Sequence, residues 1–235
     1  MNGAARRWAV VPAAGVGRRM GGGLPKQYRK LRGRRVIEHS LARLLAHPGI
    51  AGVCVALSPD DGWWPGTEFA GHPAVYRVPG GRERCHSVLN ALEALGERAC
   101  DGDWVLVHDA ARPCLRRADL DRLFALEDHP VGGLLGVPVR DTIKKADEAG
   151  AILRTVAREH LWHAFTPQMF RLGALRRALR ETLRQGLLVT DDASAMEFMG
   201  WQPQLVEGHA DNIKITRPED LLLAGFYLER QELTC

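Results

Sequence analysis

Between residues 12 and 28 the chain reads Pro12-Ala-Ala-Gly-Val-Gly-Arg-Arg-Met20, then Gly21-Gly-Gly23, then Leu24-Pro-Lys-Gln-Tyr28. Gly15 and Gly17 let the backbone approach an anion closely and turn N–H groups toward it. Arg19 and Lys26 add fixed positive charge. The chemistry such a loop offers is the cradling of phosphate. Two familiar phosphate loops are excluded by counting: the dinucleotide fingerprint needs glycine where Met20 stands, and a Walker loop needs Lys-Ser or Lys-Thr directly after its last glycine, where Leu24 follows Gly23. Taken alone, the loop is equally compatible with a solvated connection between a strand and a helix.

Other polar groups gather at recognisable points. His108-Asp-Ala-Ala-Arg-Pro113 closes an apolar run, with Asp109 and Arg112 spaced either to pair with one another in a turn or to grip a ligand. Asp191-Asp192 reads as the start of a helix, where carboxylates favour the macrodipole. The nine histidines form no HExxH or comparable arrangement, so His86, His108 and His163 are expected to be hydrogen-bonded structural groups rather than zinc ligands. The five cysteines (Cys54, Cys85, Cys100, Cys114 and Cys235) show no CxxC pair and fit reduced, mostly buried thiols in a cytoplasmic protein.

These groups need a scaffold, and the pattern around them supplies one. Short apolar, β-branched runs alternate with segments of helical period, as in parallel strands joined by covering helices. Strands are expected at Trp8–Pro12, Gly52–Leu57, Ala74–Val78, Trp104–Asp109 and Gly133–Val139. The third of these is short. Trp104–Asp109 is apolar almost throughout, which marks a central strand covered on both faces. Helices are expected at about Val36–Ala46, through Cys85, Val88, Leu89, Leu92 and Leu95, near Ala118–Leu126, at Phe170–Gln185, and after Arg217-Pro218, where proline suits a first turn. Phosphate-binding loops in such sheets lie at the carboxyl ends of strands, where the Gly-rich loop falls.

Two stretches break the alternation. Ser58–Pro73, rich in Gly, Pro and Asp and carrying Trp63 and Trp64, is expected to be a surface excursion with partly packed aromatics. Residues 140–166, turning near Asp147–Gly150, read as a β-hairpin arm that leaves the sheet and returns. Such an arm cannot bury its own apolar face, so a partner subunit is its natural packing surface.

Composition narrows the rest. The 235 residues suffice for one sizeable α/β domain, and 46% apolar with 26% charged residues is ordinary for a packed protein. A formal net charge of +4, from 32 Lys and Arg against 28 Asp and Glu, is too mild to argue for nucleic acid. Arg6 and Arg7 precede a short apolar run, but Pro12 and the glycines end it, which fits a buried first strand better than a signal peptide. Nothing approaches the ~20 apolar residues of a membrane span.

The chain resembles the 2-C-methyl-D-erythritol 4-phosphate cytidylyltransferase family. The resemblance rests on Pro12-Ala-Ala-Gly-x-Gly-x-Arg-Met20, Pro25-Lys-Gln-Tyr28, His108-Asp-Ala-Ala-Arg-Pro113, Val139-Arg-Asp-Thr142, Thr166-Pro-Gln168, Thr190-Asp191 and Asp211-Asn-Ile-Lys214, in order along nearly the whole chain. It implies a nucleotide-diphospho-sugar transferase type of fold: α/β, Rossmann-like, with a mostly parallel central sheet, helices on both faces and a β-hairpin dimerisation arm. It also implies transfer of CMP from CTP to a polyol phosphate with release of pyrophosphate, in a cytoplasmic homodimer.

The same resemblance distributes roles. Arg19 and Lys26 match the pair that stabilises the α-phosphate in the transition state, and Arg158 and Lys214 match residues that orient the attacking phosphate. In a dimer, Arg158 of the arm would serve the neighbour's site. Asp109, Arg112, Thr142, Thr166 and Thr190 match other substrate contacts. Pro12, Ala13, Ala14, Gly15, Gly17, Gly80, Gly81, Ser87 and Lys214 match the nucleotide site, small residues letting a pyrimidine approach the main chain while excluding a purine. Mg²⁺ is implied, held chiefly by the CTP phosphates, with Asp109 as the one candidate protein contact. The chain departs from the family pattern at Arg82, where an acidic residue is expected after the Gly-Gly pair. A ribitol 5-phosphate cytidylyltransferase is the nearest competing reading, disfavoured by Ala111 where valine is expected. An RNA-binding module would need a continuous basic stripe with exposed aromatics, and aromatics are only 6% of the chain.

Overall fold

The computed structural model describes residues 5–15 and 23–233. Gly17 and Arg19 therefore lie outside the described residues. The strands in chain order are β1 (Arg7–Pro12), β2 (Lys30–Leu31), β3 (Arg34–Arg35), β4 (Ile50–Leu57), β5 (Val75–Pro79), β6 (Trp104–Val107), β7 (Gly132–Pro138), β8 (Ile143–Ala146), β9 (Ile152–Val156), β10 (Trp162–Arg171) and β11 (Gln204–Glu207). The helices are α1 (Val36–Leu45), α2 (Arg84–Leu95), α3 (Arg117–Phe124), α4 (Leu172–Arg184), α5 (Asp192–Phe198) and α6 (Glu219–Glu232). Seven strands form one sheet in the order β11-β7-β10-β6-β1-β4-β5.

The sheet is mostly parallel, as expected: β1 pairs parallel with β4 and β6, β4 with β5, and β11 with β7. Only β10 runs against its neighbours β6 and β7. Both faces are covered because successive side chains of a strand point to opposite sides. Trp8, Val10, Cys54, Ala56, Val105 and Val107 meet α2, α4 and α5 on one face. Ala9, Val11, Val53, Val55, Trp104 and Leu106 meet α1 and α3 on the other. A smaller cluster, including Ala111, Cys114 and Ile215, packs α6 against the end of the sheet.

Strand β10 departs from the expected arrangement in two ways. It takes in Phe170 and Arg171, the start of the expected helix at Phe170–Gln185; that helix begins at Leu172. It also carries the chain back into the main sheet at Trp162, ahead of the expected end of the arm. Its pairing with β7 breaks between Ala164 and Gln168, so that Phe165, Thr166 and Pro167 stand opposite the single residue Leu135. A bulge of this kind bends a strand and re-aims a side chain. Here it sends Thr166 toward the end of β6.

The hairpin β8–β9 forms a separate two-stranded sheet. Its turn is tied by the Asp147 carboxylate, which accepts N–H bonds from Ala149 and Ala151, and by Gly150 at a φ of +85°. Ile152 and Leu153 on β9 are exposed. In the excursion after β4, Trp64 is buried while Trp63 stays partly exposed and stacks on Tyr28. Among the described residues no helix is long and apolar enough to cross a membrane.

Candidate active site

A cleft of about 250 Å³ opens at the carboxyl ends of β1 and β6, bordered by residues 12–15, Lys26, Gln27, the segment Gly81–Arg84, Ser87, Asp109–Ala111 and Lys214. Each wall has a local cause. Past β1 the chain stays fixed because Ala13 N–H donates to the carbonyl of Ala56 at 2.8 Å. The side chain of Gln27 then clamps the loop from below, donating to the carbonyls of Ala13 (2.8 Å) and Gly15 (3.1 Å). This places Lys26, the first residue of a 3₁₀ turn entered through Pro25, beside the cleft.

The wall opposite is the turn into α2. A Cβ on Gly80 would lie 2.4 Å from the Ala14 methyl group, so only glycine lets this turn close on the first loop. Ser87 Oγ accepts the Gly81 N–H at 3.0 Å and pins the turn to the helix. Small residues from two separate segments thus form one flat face.

The floor is built at the end of β6. His108 is wholly enclosed, and its Nε2 faces the carbonyl of Arg112 at 3.0 Å, so Nε2 carries the proton. Its Nδ1 then accepts the Thr166 hydroxyl at 3.1 Å, and the same hydroxyl oxygen accepts Asp109 N–H at 3.0 Å. Burial pushes the imidazole down to about 4, which keeps it neutral at ordinary pH. The bulge in β10 therefore orients Asp109 through Thr166.

Asp109 is nearly buried and meets three cations: Lys214 Nζ at 2.9 Å and Arg112 Nε at 3.4 Å on Oδ2, and Arg84 Nε at 3.3 Å on Oδ1. Burial alone would raise its carboxyl, but Arg84, Lys214 and Arg112 together hold it well below the usual carboxylate range. Lys26 joins the same group, since its ammonium donates at 2.9 Å to the carbonyl of Ile215, the residue after Lys214. Two cations distant in sequence thus border the same cleft.

Most of the expected site residues come together here. Pro12, Ala13, Ala14, Gly15, Gly81, Ser87, Lys26, Asp109 and Lys214 border the cleft. Thr166 and Arg112 stand behind Asp109. The Arg112 guanidinium is turned to protein, donating to the carbonyl of Asn212 at 2.7 Å and lying 4.8 Å from the centre of the Phe165 ring. Thr142, Arg158 and Thr190 do not border the cleft within this chain: Thr142 and Arg158 sit exposed at the base of the arm, where Arg158 hydrogen-bonds the carbonyl of Arg140, and Thr190 precedes α5. The helix start expected at Asp191-Asp192 is α5, with Asp191 accepting the Ser194 N–H.

Sequence reading missed Arg84, Gln27 and Asn212. Asn212 Nδ2 donates at 2.8 Å to the carbonyl of Thr166 and so braces the bulge. The one available signal was position: Arg84 lies three residues before Ser87 in the turn already marked by Gly80-Gly81. Both oxygens of Asp109 serve cations of this chain.

Comparison with known proteins identifies the lineage. The family model described as "IspD: 2-C-methyl-D-erythritol 4-phosphate cytidylyltransferase" matches residues 8–230. The chain is 59% identical over 216 residues to the 2-C-methyl-D-erythritol 4-phosphate cytidylyltransferase of Pseudomonas putida (strain GB-1), covering 91% of this chain and 92% of that protein. It is 57% identical to the enzyme of the same name from Aeromonas hydrophila, covering 95% and 90%. The crystal structure of the Francisella tularensis enzyme superposes with a TM-score of 0.83 at 35% identity, covering 95% of this chain and all of that one. With both sequence and sheet matched almost end to end, the chain belongs to the 2-C-methyl-D-erythritol 4-phosphate cytidylyltransferase (IspD) family.

Proposed function

We propose that this cleft brings CTP and 2-C-methyl-D-erythritol 4-phosphate together and lowers the repulsion between them, giving 4-diphosphocytidyl-2-C-methyl-D-erythritol and pyrophosphate for isoprenoid biosynthesis. Family membership carries the activity. The observation that carries the assignment of the site is the meeting of Lys26, Lys214 and Asp109, drawn from three separate parts of the chain, at the mouth of β1 and β6. In the reaction an oxygen of the acceptor phosphate attacks the α-phosphorus of CTP. A new P–O bond forms as the bond to the bridging oxygen of pyrophosphate breaks, with no covalent enzyme intermediate. The protein contributes positioning and charge neutralisation.

In this reading the cytosine lies against Ala13, Ala14, Gly80, Gly81 and Ser87, and the triphosphate over Gly15, Gly17, Arg19 and Lys26. Lys26 and Arg19 neutralise the α-phosphate as negative charge grows on it. Lys214, steadied by Asp109, orients the acceptor phosphate. Arg112 and Thr166 hold Asp109 from behind. Mg²⁺ enters as part of the nucleotide substrate, carried by the CTP phosphates, because the wall of the cleft offers mostly cations and backbone.

The arm completes this account in a homodimer. Its exposed Ile152 and Leu153 need a cover, and Arg158 and Thr142, which do not border the cleft of their own chain, would serve the neighbour's. A cytoplasmic location belongs to the same reading, supported by Cys54, Cys85, Cys100 and Cys114, all unpaired. Neither ribitol 5-phosphate transfer nor RNA binding is favoured, since the family model and the relatives named above are methylerythritol phosphate enzymes.

The test is pyrophosphate release from MgCTP with each polyol phosphate in turn. Turnover with methylerythritol phosphate and little with ribitol 5-phosphate is expected; the reverse order would overturn the assignment. In the same assay, a mixture of inactive Arg158→Ala and Lys26→Ala variants should regain part of the activity, because a mixed dimer keeps one intact site. No recovery after subunit exchange would contradict a shared site.

A further inference from the structure

Arg84 is the first residue of α2, where the positive end of the helix dipole disfavours a cation. Its side chain is nevertheless partly buried there, and its guanidinium divides between two carboxylates from different parts of the fold. Nε meets Asp109 Oδ1 at 3.3 Å and Nη2 meets Asp192 Oδ2 at 2.8 Å. Asp192 is 1% exposed, and its Oδ1 has no hydrogen-bond partner. Burying a carboxylate half-satisfied is costly, and capping α5 does not require it, since Asp191 already does so. Burial pushes the Asp192 carboxyl up and Arg84 pulls it back down. What Asp192 secures is the guanidinium.

That guanidinium in turn faces the cleft. Arg84 and Lys214 take opposite oxygens of Asp109, so the hold on Oδ1 fixes the rotation of the carboxylate and with it the direction in which Oδ2 presents to the Lys214 ammonium. We propose that Arg84 is a positioning residue for the transfer reaction: anchored by Asp192, it orients Asp109 and, through Asp109, Lys214. The inference rests on the functional reading of the cleft given above. Lysine cannot replace Arg84 in this role, because a point charge cannot fork between two carboxylates.

Steady-state kinetics of wild type, Arg84→Lys, Arg84→Gln, Asp192→Asn and the double variant Arg84→Gln/Asp192→Asn test it, with thermal unfolding followed in parallel. Arg84→Lys and Arg84→Gln should lower kcat/KM for the acceptor by about a hundredfold, the scale of a small misplacement of reacting groups, while KM for CTP stays within a few-fold of wild type. Asp192→Asn should show the same selective loss, and the double variant should be no slower than Arg84→Gln, because Asp192 acts through Arg84. Folded Arg84→Lys enzyme with wild-type constants, a parallel rise in KM for CTP, or losses that multiply in the double variant would each overturn the proposal. A wild-type enzyme that releases no pyrophosphate with the acceptor would instead refute the reading of the cleft itself.

Discussion

Replacing Lys26 by alanine is expected to lower turnover by about a thousandfold, the scale seen when a preorganised charge-stabilising donor is removed from a transition state. The fold should be untouched. The turn that carries Lys26 is held by its neighbours: Gln27 clamps the first loop, and Tyr28, buried, donates its hydroxyl to Asp61 at 2.8 Å. Lys26 itself borders the cleft and directs its ammonium at the main-chain carbonyl of Ile215, a bond that water can replace. Because its charge matters most as the α-phosphate gains negative charge, kcat and kcat/KM should fall together. Purified Lys26→Ala enzyme with an unchanged unfolding transition and near-normal turnover would remove Lys26 from the mechanism.

Asp109→Asn should damage stability as well as activity. The substitution keeps shape but takes the partner charge away from Arg84, Arg112 and Lys214; of these Arg112 is buried, and stripping a buried charge of its partner costs roughly 3–5 kcal/mol. Arg84 retains Asp192, so the lower end of that range is expected. The pH dependence has a definite sign. The folded-state carboxyl lies below its value in the unfolded chain, so its contribution is complete above about pH 4 and is lost as pH falls further toward the folded value. Urea unfolding of wild type and Asp109→Asn at neutral pH and below pH 4 checks this: the gap between the two should narrow in acid. A gap that is absent at neutral pH, or that widens in acid, would contradict the assigned electrostatics.

What the sequence disclosed follows from which forces act locally. β1, β4 and β6 are buried on both faces and so read as unbroken apolar runs, and α1 and α2 carry regular apolar stripes; all five lie within two residues of their expected bounds. β10 was illegible because Pro167 sits within it, and proline argues against an interior strand unless a bulge accommodates it. β11 is four residues long and only half-buried, too weak a pattern to stand out.

The site divides in the same way. Lys26, Asp109 and Lys214 announced themselves by residue type within short motifs. Arg84 and Asp192 take their meaning from a contact across 108 positions, which no local spacing encodes. Arg112 was legible as a site residue but not as a support, because only packing shows its guanidinium spent on Asn212 and Asp109 rather than turned to the cleft.

The measurement that bears most directly on the whole account is the position of CTP in crystals of the enzyme. The cytosine should lie against Gly80, Gly81 and Ser87, with the α-phosphate within reach of the Lys26 ammonium and facing Lys214. A nucleotide bound away from the mouth of β1 and β6, or with its α-phosphate turned from both lysines, would contradict it.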